Sequence, residues 1–274
     1  MPIRHMLTLL VAFLLGSSSA LSEDWSSLFR DLTSTDPQTS EKARTRSFNE
    51  LIPFLLHGDL RLVVPEVGKI AQLLDAPPNV RVQVSALLYI VANGRRSDSA
   101  AALSAVLPKV REHLRDDDDL IRFNAARTLS ELQPVIPVEV IPDIVASLKS
   151  GDVHLVRAAS LGAARVANVS SDAAEALSAI LRSDMGKAAK QAVMYSIVAA
   201  RVTAPQVQNG LAKLLETTRE ADLLLSGLEA ASAIGSEATD RLVRSVDLVG
   251  AGTLDPEVTA AATKARKRLQ EGRK

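Results

Sequence analysis

The chain of 274 residues contains no cysteine, which removes disulfides, thiolate nucleophiles, zinc knuckles and thiol-linked lipid anchors together. It also lacks an excess of either charge. The 32 basic side chains face 32 acidic ones, so no global basic field draws the chain to nucleic acid or anionic lipid. Aromatic residues are scarce, at 3% of the chain, and only Tyr195 lies beyond Phe123. A core without large rings must be built from Ala, Leu, Val and Ile, which suits closely stacked helices. What is present, 47% apolar and 23% charged residues, is a globular composition that excludes wholesale disorder and a collagen-like chain.

The first 20 residues read as a secretory signal peptide. Arg4 charges the leading segment, Leu7 to Leu15 form an apolar run, and Gly16 precedes small residues in which Ser18 and Ala20 fit a cleavage site. The run is far short of the roughly 20 apolar residues a membrane-spanning helix needs. The expectation is therefore removal of residues 1–20, leaving 21–274 as one folded domain in a secreted or periplasmic setting, in a bacterium.

The rest of the chain is periodic. An apolar helix, an acidic turn, and then an apolar residue followed by a basic one recur, most clearly from Leu114 to Arg122 and from Leu148 to Arg157. Aligned on the basic position, Arg44, Arg81, Arg122, Arg157, Lys190, Leu224 and Thr259 are separated by 37, 41, 35, 33, 34 and 35 residues. Apolar stripes at helical spacing, such as Val80, Val84, Leu87, Leu88 and Val91, predict second helices. Leu103, Val106, Leu107, Val110 and Leu114 do the same for a first helix. Pro65, Pro108 and Pro142 each stand two residues before an apolar position, as first-turn prolines do. Asp36-Pro37 and Asp255-Pro256 read as cap pairs, and Thr203 to Gln206 as a capping box. No alternating runs bounded by hairpin turns are present, so the prediction is all-α, with about 13 or 14 helices in antiparallel pairs.

This pattern resembles HEAT repeats, and the alanine-rich copies resemble the shorter HEAT-like units of the phycobilisome-lyase type, over roughly Leu28 to Leu269. The resemblance implies a right-handed α-solenoid of six to seven repeats. It also implies a ladder of turn aspartates and arginines, which nominates Asp75 with Arg81, Asp116 to Asp119 with Arg122, Asp152 with Arg157, and Asp184 with Lys190. The ladder is expected to fail near the C-terminus, where Leu224 and Thr259 occupy the basic position.

A solenoid offers an extended concave surface that binds protein or peptide by area. If the second helices line it, Arg46, Gln83, Asn124, Arg127 and Arg165 are the exposed polar candidates for binding. Catalytic signals are missing: no Gly-x-Ser-x-Gly, phosphate-binding loop or dinucleotide fingerprint occurs. His57, His113 and His154 fall in different repeats and read as isolated surface or turn histidines. Asp116 to Asp119 could gather calcium, but the glycine and closing glutamate of an EF-hand loop are missing, so an acidic helix cap is expected. Gly94 to Ser99 reads as a loop inserted in the longest interval, the basic end from Lys264 to Lys274 as a polar cap on the last repeat, and Asn168-Val-Ser170 matches a glycosylation sequon, which matters only in a eukaryote. The expectation is a non-catalytic interaction scaffold of the cell envelope, with a protein or peptide partner, no nucleic acid, no metal and no cofactor. Rival readings are an enzyme-like protein resembling bilin chromophore lyases and a structural subunit of an envelope complex.

Overall fold

The computed structural model describes residues 30–31, 34, 36–46, 67–75, 78–93, 102–132 and 136–271. The signal segment, His57 and the loop from Gly94 to Ser99 lie outside the described residues. After α1 (Pro37–Arg46) come six helix pairs: α2 (Val67–Gln72) with α3 (Pro78–Asn93), α4 (Leu107–Glu112) with α5 (Asp119–Ser130), and α6 (Ile141–Lys149) with α7 (Val153–Val166). They continue as α8 (Ser171–Arg182) with α9 (Lys187–Ala200), α10 (Pro205–Thr217) with α11 (Ala221–Ile234), and α12 (Asp240–Gly252) with α13 (Pro256–Gln270). The described residues thus form thirteen α-helices, with single 3₁₀ turns at several ends.

Local chemistry sets the helix starts. Asp118, Asp152 and Asp255 each turn a carboxylate onto two backbone N–H groups of the following helix, among them Leu120 N at 2.8 Å, His154 N at 2.7 Å and Glu257 N at 2.9 Å. Asp36 does the same at α1. Prolines occupy the first turns of α4, α6, α10 and α13, where a missing N–H leaves no bond unmade. The expected capping box at Thr203 does not form. Ala204 is the cap residue and makes no side-chain bond. Asn168, in the turn after α7, instead ties down the turn before this helix by accepting from Thr203 N at 2.9 Å and Ala204 N at 3.1 Å. The sequon asparagine is thereby spent on joining repeats.

Each helix buries its stripe against its partner and against the equivalent helices on either side. The second helices form one layer, α3 on α5, α5 on α7, α7 on α9, α9 on α11 and α11 on α13; α6, α8, α10 and α12 form the other. One continuous core of Leu, Val, Ile and Ala runs between the layers. None of its buried members is aromatic. Small residues bring neighbours within a layer close together: a Cβ on Gly162 of α7 would lie 2.7 Å from the Ser130 Cα of α5, and one on Gly210 would lie 2.8 Å from the Ser178 Cα.

The charged ladder is present; Arg122 pairs with Asp119 as expected, but Arg81 and Asp75 do not pair with each other. Arg81 pairs with Asp116 of the next repeat at 2.7 Å, not with Asp75. Asp75 instead holds Lys109 of the next first helix. Arg122 reaches Asp119 in its own turn and Asp152 of the next repeat at 3.7 Å, and Lys187, rather than Lys190, continues the ladder to Asp222. The side chains of Arg81 and Lys187, which open second helices, reach carboxylates of the following repeat, whereas Arg122 is shared between its own turn and the next.

Candidate interaction surfaces

Two surfaces carry side chains that the core does not use, one on each helix layer. On the second-helix layer, Arg127 of α5 lies with its guanidinium 4.4 Å from the Tyr89 ring centroid and 5.8 Å from that of Phe123. It donates to Tyr89 Oη at 2.5 Å and pairs with Glu131 at 3.4 Å. Arg165 of α7 donates to the Ser130 carbonyl at 3.0 Å, and burial lowers its pKa against the opposing charge of Glu131. Tyr89, Arg127, Glu131 and Arg165 therefore form a continuous strip across α3, α5 and α7. Tyr195, on α9, is 72% exposed. The aromatic side chains of the described residues, Tyr89, Phe123 and Tyr195, all sit on second helices and none is fully buried.

Of the expected binding residues, Arg127 and Arg165 are thus brought together on one strip. Asn124 differs from expectation: it is buried, and its amide donates to Ser85 Oγ of α3 at 3.0 Å. The signal was available, since Asn124 stands three residues after Ile121 on the apolar stripe that continues to Leu129. A buried amide must find a partner, and Ser85 in the neighbouring repeat supplies it. The side chains of Arg46 and Gln83 lie outside the described residues.

A groove of about 430 Å³ crosses the first-helix layer. Glu175, Ser178 and Arg182 line it from α8, Gln206, Asn209 and Lys213 from α10, and Arg241 from α12. Arg182 is held by Glu175 and by the Ser178 carbonyl. Arg241 is held by Glu216 at 3.2 Å, and this contact, with Ser245 Oγ and the charge of Lys213, keeps the Glu216 carboxyl below its ordinary pKa. Lys213 is exposed and forms no ion pair among the described residues. Attention to the second helices missed this groove. Its signal was a register of 31 residues that relates Glu175 to Gln206, Ser178 to Asn209 and Arg182 to Lys213.

The acidic turn disperses its carboxylates. Asp116 is buried between Arg81 and His113 Nδ1, the latter at 2.8 Å, and accepts from Asp118 N at 3.0 Å. Asp118 caps α5, and Asp119 holds Arg122. No group of three metal-ligating side chains converges among the described residues. His113 is in a turn, as expected, but it is buried rather than on the surface.

Comparison of the sequence finds no matching family model and no matching curated protein. The fold does have relatives among solved structures. An engineered protein aligns over 89% of this chain and 67% of its own, at 18% identity with a TM-score of 0.57. Kap121p, in its structure bound to Ste12p, aligns over 93% of this chain at 16% identity with a TM-score of 0.52. The chain spans about a quarter of Kap121p, 27% of its length. A designed armadillo repeat protein in complex with the peptide (KR)4 aligns over 88% of this chain at 14% identity with a TM-score of 0.45. The paired helices, the two layers and the likeness to the engineered protein and to Kap121p define the chain as an α-solenoid repeat protein.

Proposed function

We propose that this chain is an exported, HEAT-like interaction scaffold that binds a protein or peptide partner in the bacterial envelope without catalysing a reaction. The observation that carries this reading is the second-helix face. The chain has few aromatic residues, and those described stand at that surface, Tyr89 and Phe123 beside Arg127 and Tyr195 exposed on α9. Tyr, Phe and Arg are the residue types enriched where proteins bind each other, because they bury large areas while keeping a polar handle. The shared fold with Kap121p, solved as a complex with Ste12p, supports a polypeptide as the class of partner by analogy alone. Export rests on the apolar run from Leu7 to Leu15 with its small-residue cleavage site.

The test pairs two experiments. N-terminal sequencing of the chain from fractionated cells is expected to find a periplasmic protein beginning near Leu21; a cytoplasmic chain with its first 20 residues intact would refute export. Affinity capture from the envelope fraction, with a tag after Lys274, is expected to retain a stoichiometric partner that is lost when Arg127→Glu and Tyr195→Ser are combined. Equal retention by the wild type and the double variant would refute the second-helix face as the binding surface.

A further inference from the structure

The groove across the first helices is a second surface, and its chemistry specifies what it would hold. Three cations, Arg182, Lys213 and Arg241, come from three successive first helices and face one lining carboxylate, Glu175. Arg182 and Arg241 are already positioned, by Glu175 with the Ser178 carbonyl and by Glu216 respectively. Ordering them on a ligand therefore costs less rotamer entropy than ordering free arginines. Lys213 lies on the middle helix, exposed and without an ion pair. Asn209 is one helical turn before it on the same face of α10, exposed, with an amide able both to donate and to accept. A groove that places a free ammonium beside an amide, between two fixed guanidinium groups, matches a chain offering alternating backbone amides and carboxylates.

We propose that this groove binds an extended acidic peptide segment whose carboxylates recur every third residue. The spacing comes from packing. Neighbouring helices in a layer lie about 8–10 Å apart, and an extended chain advances about 3.3 Å per residue, so three residues span one helix-to-helix step. A peptide crossing α8, α10 and α12 then presents one carboxylate per step to Arg182, Lys213 and Arg241, while Asn209 pairs with the backbone between. Glu175 and Glu216 set the limit on affinity: each is in an ion pair with an arginine, so Lys213, which Glu216 attracts without forming an ion pair, is the lining cation most open to a ligand and dominates discrimination. Peptides with lysine at the same positions are repelled.

This proposal rests on the scaffold reading above and assigns it a second contact of defined chemistry. The test uses a fluorescein-labelled nine-residue peptide with Glu at positions 2, 5 and 8 among Gly and Ser, titrated with the mature chain at low salt and followed by anisotropy. Saturable binding is expected, weakened tenfold or more by Lys213→Glu and several-fold by Asn209→Ala, and unaffected by Arg127→Glu on the opposite layer. The same peptide with Lys replacing Glu is expected not to bind. Both groove residues are exposed, so unchanged circular dichroism melts serve as the folding control. Equal binding of the Glu and Lys peptides, or unchanged affinity in Lys213→Glu, would overturn the proposal. So would retention of the chain on phosphatidylglycerol vesicles, dependent on Lys213, in the absence of peptide binding; that result would make the groove an anionic-lipid site. A chain that still captures its envelope partner through Arg127 and Tyr195 but ignores the peptide leaves the scaffold reading intact and removes this one.

Discussion

Substituting Gly162 by alanine tests the packing of the second-helix layer at its tightest described point. The new methyl would lie 2.7 Å from both Cα and Oγ of Ser130 and 2.8 Å from its Cβ. That is about 0.7 Å inside the 3.4 Å at which ordinary contact begins. One of the obstructing atoms is backbone, and the Ser130 hydroxyl is fixed by its bond to the Ala126 carbonyl at 2.8 Å, so no side-chain rotation relieves the clash. Overpacking of this kind costs about 1–3 kcal/mol. Alanine gives back about 1 kcal/mol in helix propensity, leaving a net loss of up to about 2 kcal/mol. Gly68 of α2 is the control: it is exposed, and a Cβ there meets nothing within 4 Å, so Gly68→Ala gains about 0.5–1 kcal/mol from propensity alone. Urea unfolding followed at 222 nm is expected to move the midpoint down for Gly162→Ala and up for Gly68→Ala. Repeat arrays can unfold in segments, so midpoints rather than extrapolated free energies are compared. A Gly162→Ala midpoint at or above wild type would refute the close approach of α5 and α7.

Other perturbations follow from the same contacts. Leu129 is fully buried, and Leu129→Asp places an unpaired carboxylate in the core, at a cost of several kcal/mol in the urea midpoint. Arg122→Ala is expected to cost less, about 1–2 kcal/mol, because its guanidinium answers the carbonyls of Asp116 and Asp117 as well as an ion pair; equal losses in the two variants would refute the register of α5. Asn124→Ala leaves the buried Ser85 hydroxyl oxygen without its donor and is expected to cost about 1–3 kcal/mol; in a double-mutant cycle, Ser85→Ala made on top of it is expected to add little further loss, because the two act as a pair. Burial would raise the Asp116 pKa, but the Asp118 N–H, His113 and Arg81 together outweigh it and hold the pKa below the ordinary value. A carboxyl depressed on folding stabilises above its unfolded pKa, near 3.9, and loses that contribution as pH falls through its folded value. Acid titration by circular dichroism should therefore show a loss of stability below about pH 4 that Asp116→Asn reduces; an identical acid profile would refute the linkage.

The period of the repeat was legible because it is written in residues that act locally or by burial. Leu, Val and Ala recur at helical spacing, and an aspartate stands one residue before each of α5, α7 and α13 because a carboxylate satisfies N–H groups within three residues of itself. Interactions that cross from one repeat to the next were harder to read. Arg81 stands closer in sequence to Asp75 than to Asp116, yet Asp116 is its partner, because stacking brings the following turn alongside. The start of α10 shows the same thing: Thr203 offers a hydroxyl nearby but forms no cap, and it is Asn168, thirty-five residues earlier, that accepts from Thr203 N in the turn before the helix. Gln208 repeats the device one step on, accepting from Thr239 N at 2.6 Å and donating to the Glu237 carbonyl at 3.0 Å. The groove was invisible to a search confined to second helices.

The exposed rings and the scarcity of rings are two sides of one constraint. Where Gly162 meets Ser130, the neighbouring second helices approach too closely for a methyl, let alone a phenyl ring, so that contact excludes aromatics, and Tyr89 and Phe123 pack only against the margin of the core. Packing does not account for Tyr195, because an exposed position on α9 accepts Lys, Glu or Gln with better helix propensity and solubility. A ring there contributes little to the fold, which is the ground for proposing that it meets a partner. Tyr195→Ser is accordingly expected to leave the urea midpoint within about 0.5 kcal/mol of wild type, as surface substitutions do, while weakening partner capture. A large stability loss in this variant would show that the ring serves packing, and would remove the main support for a binding surface on the second helices.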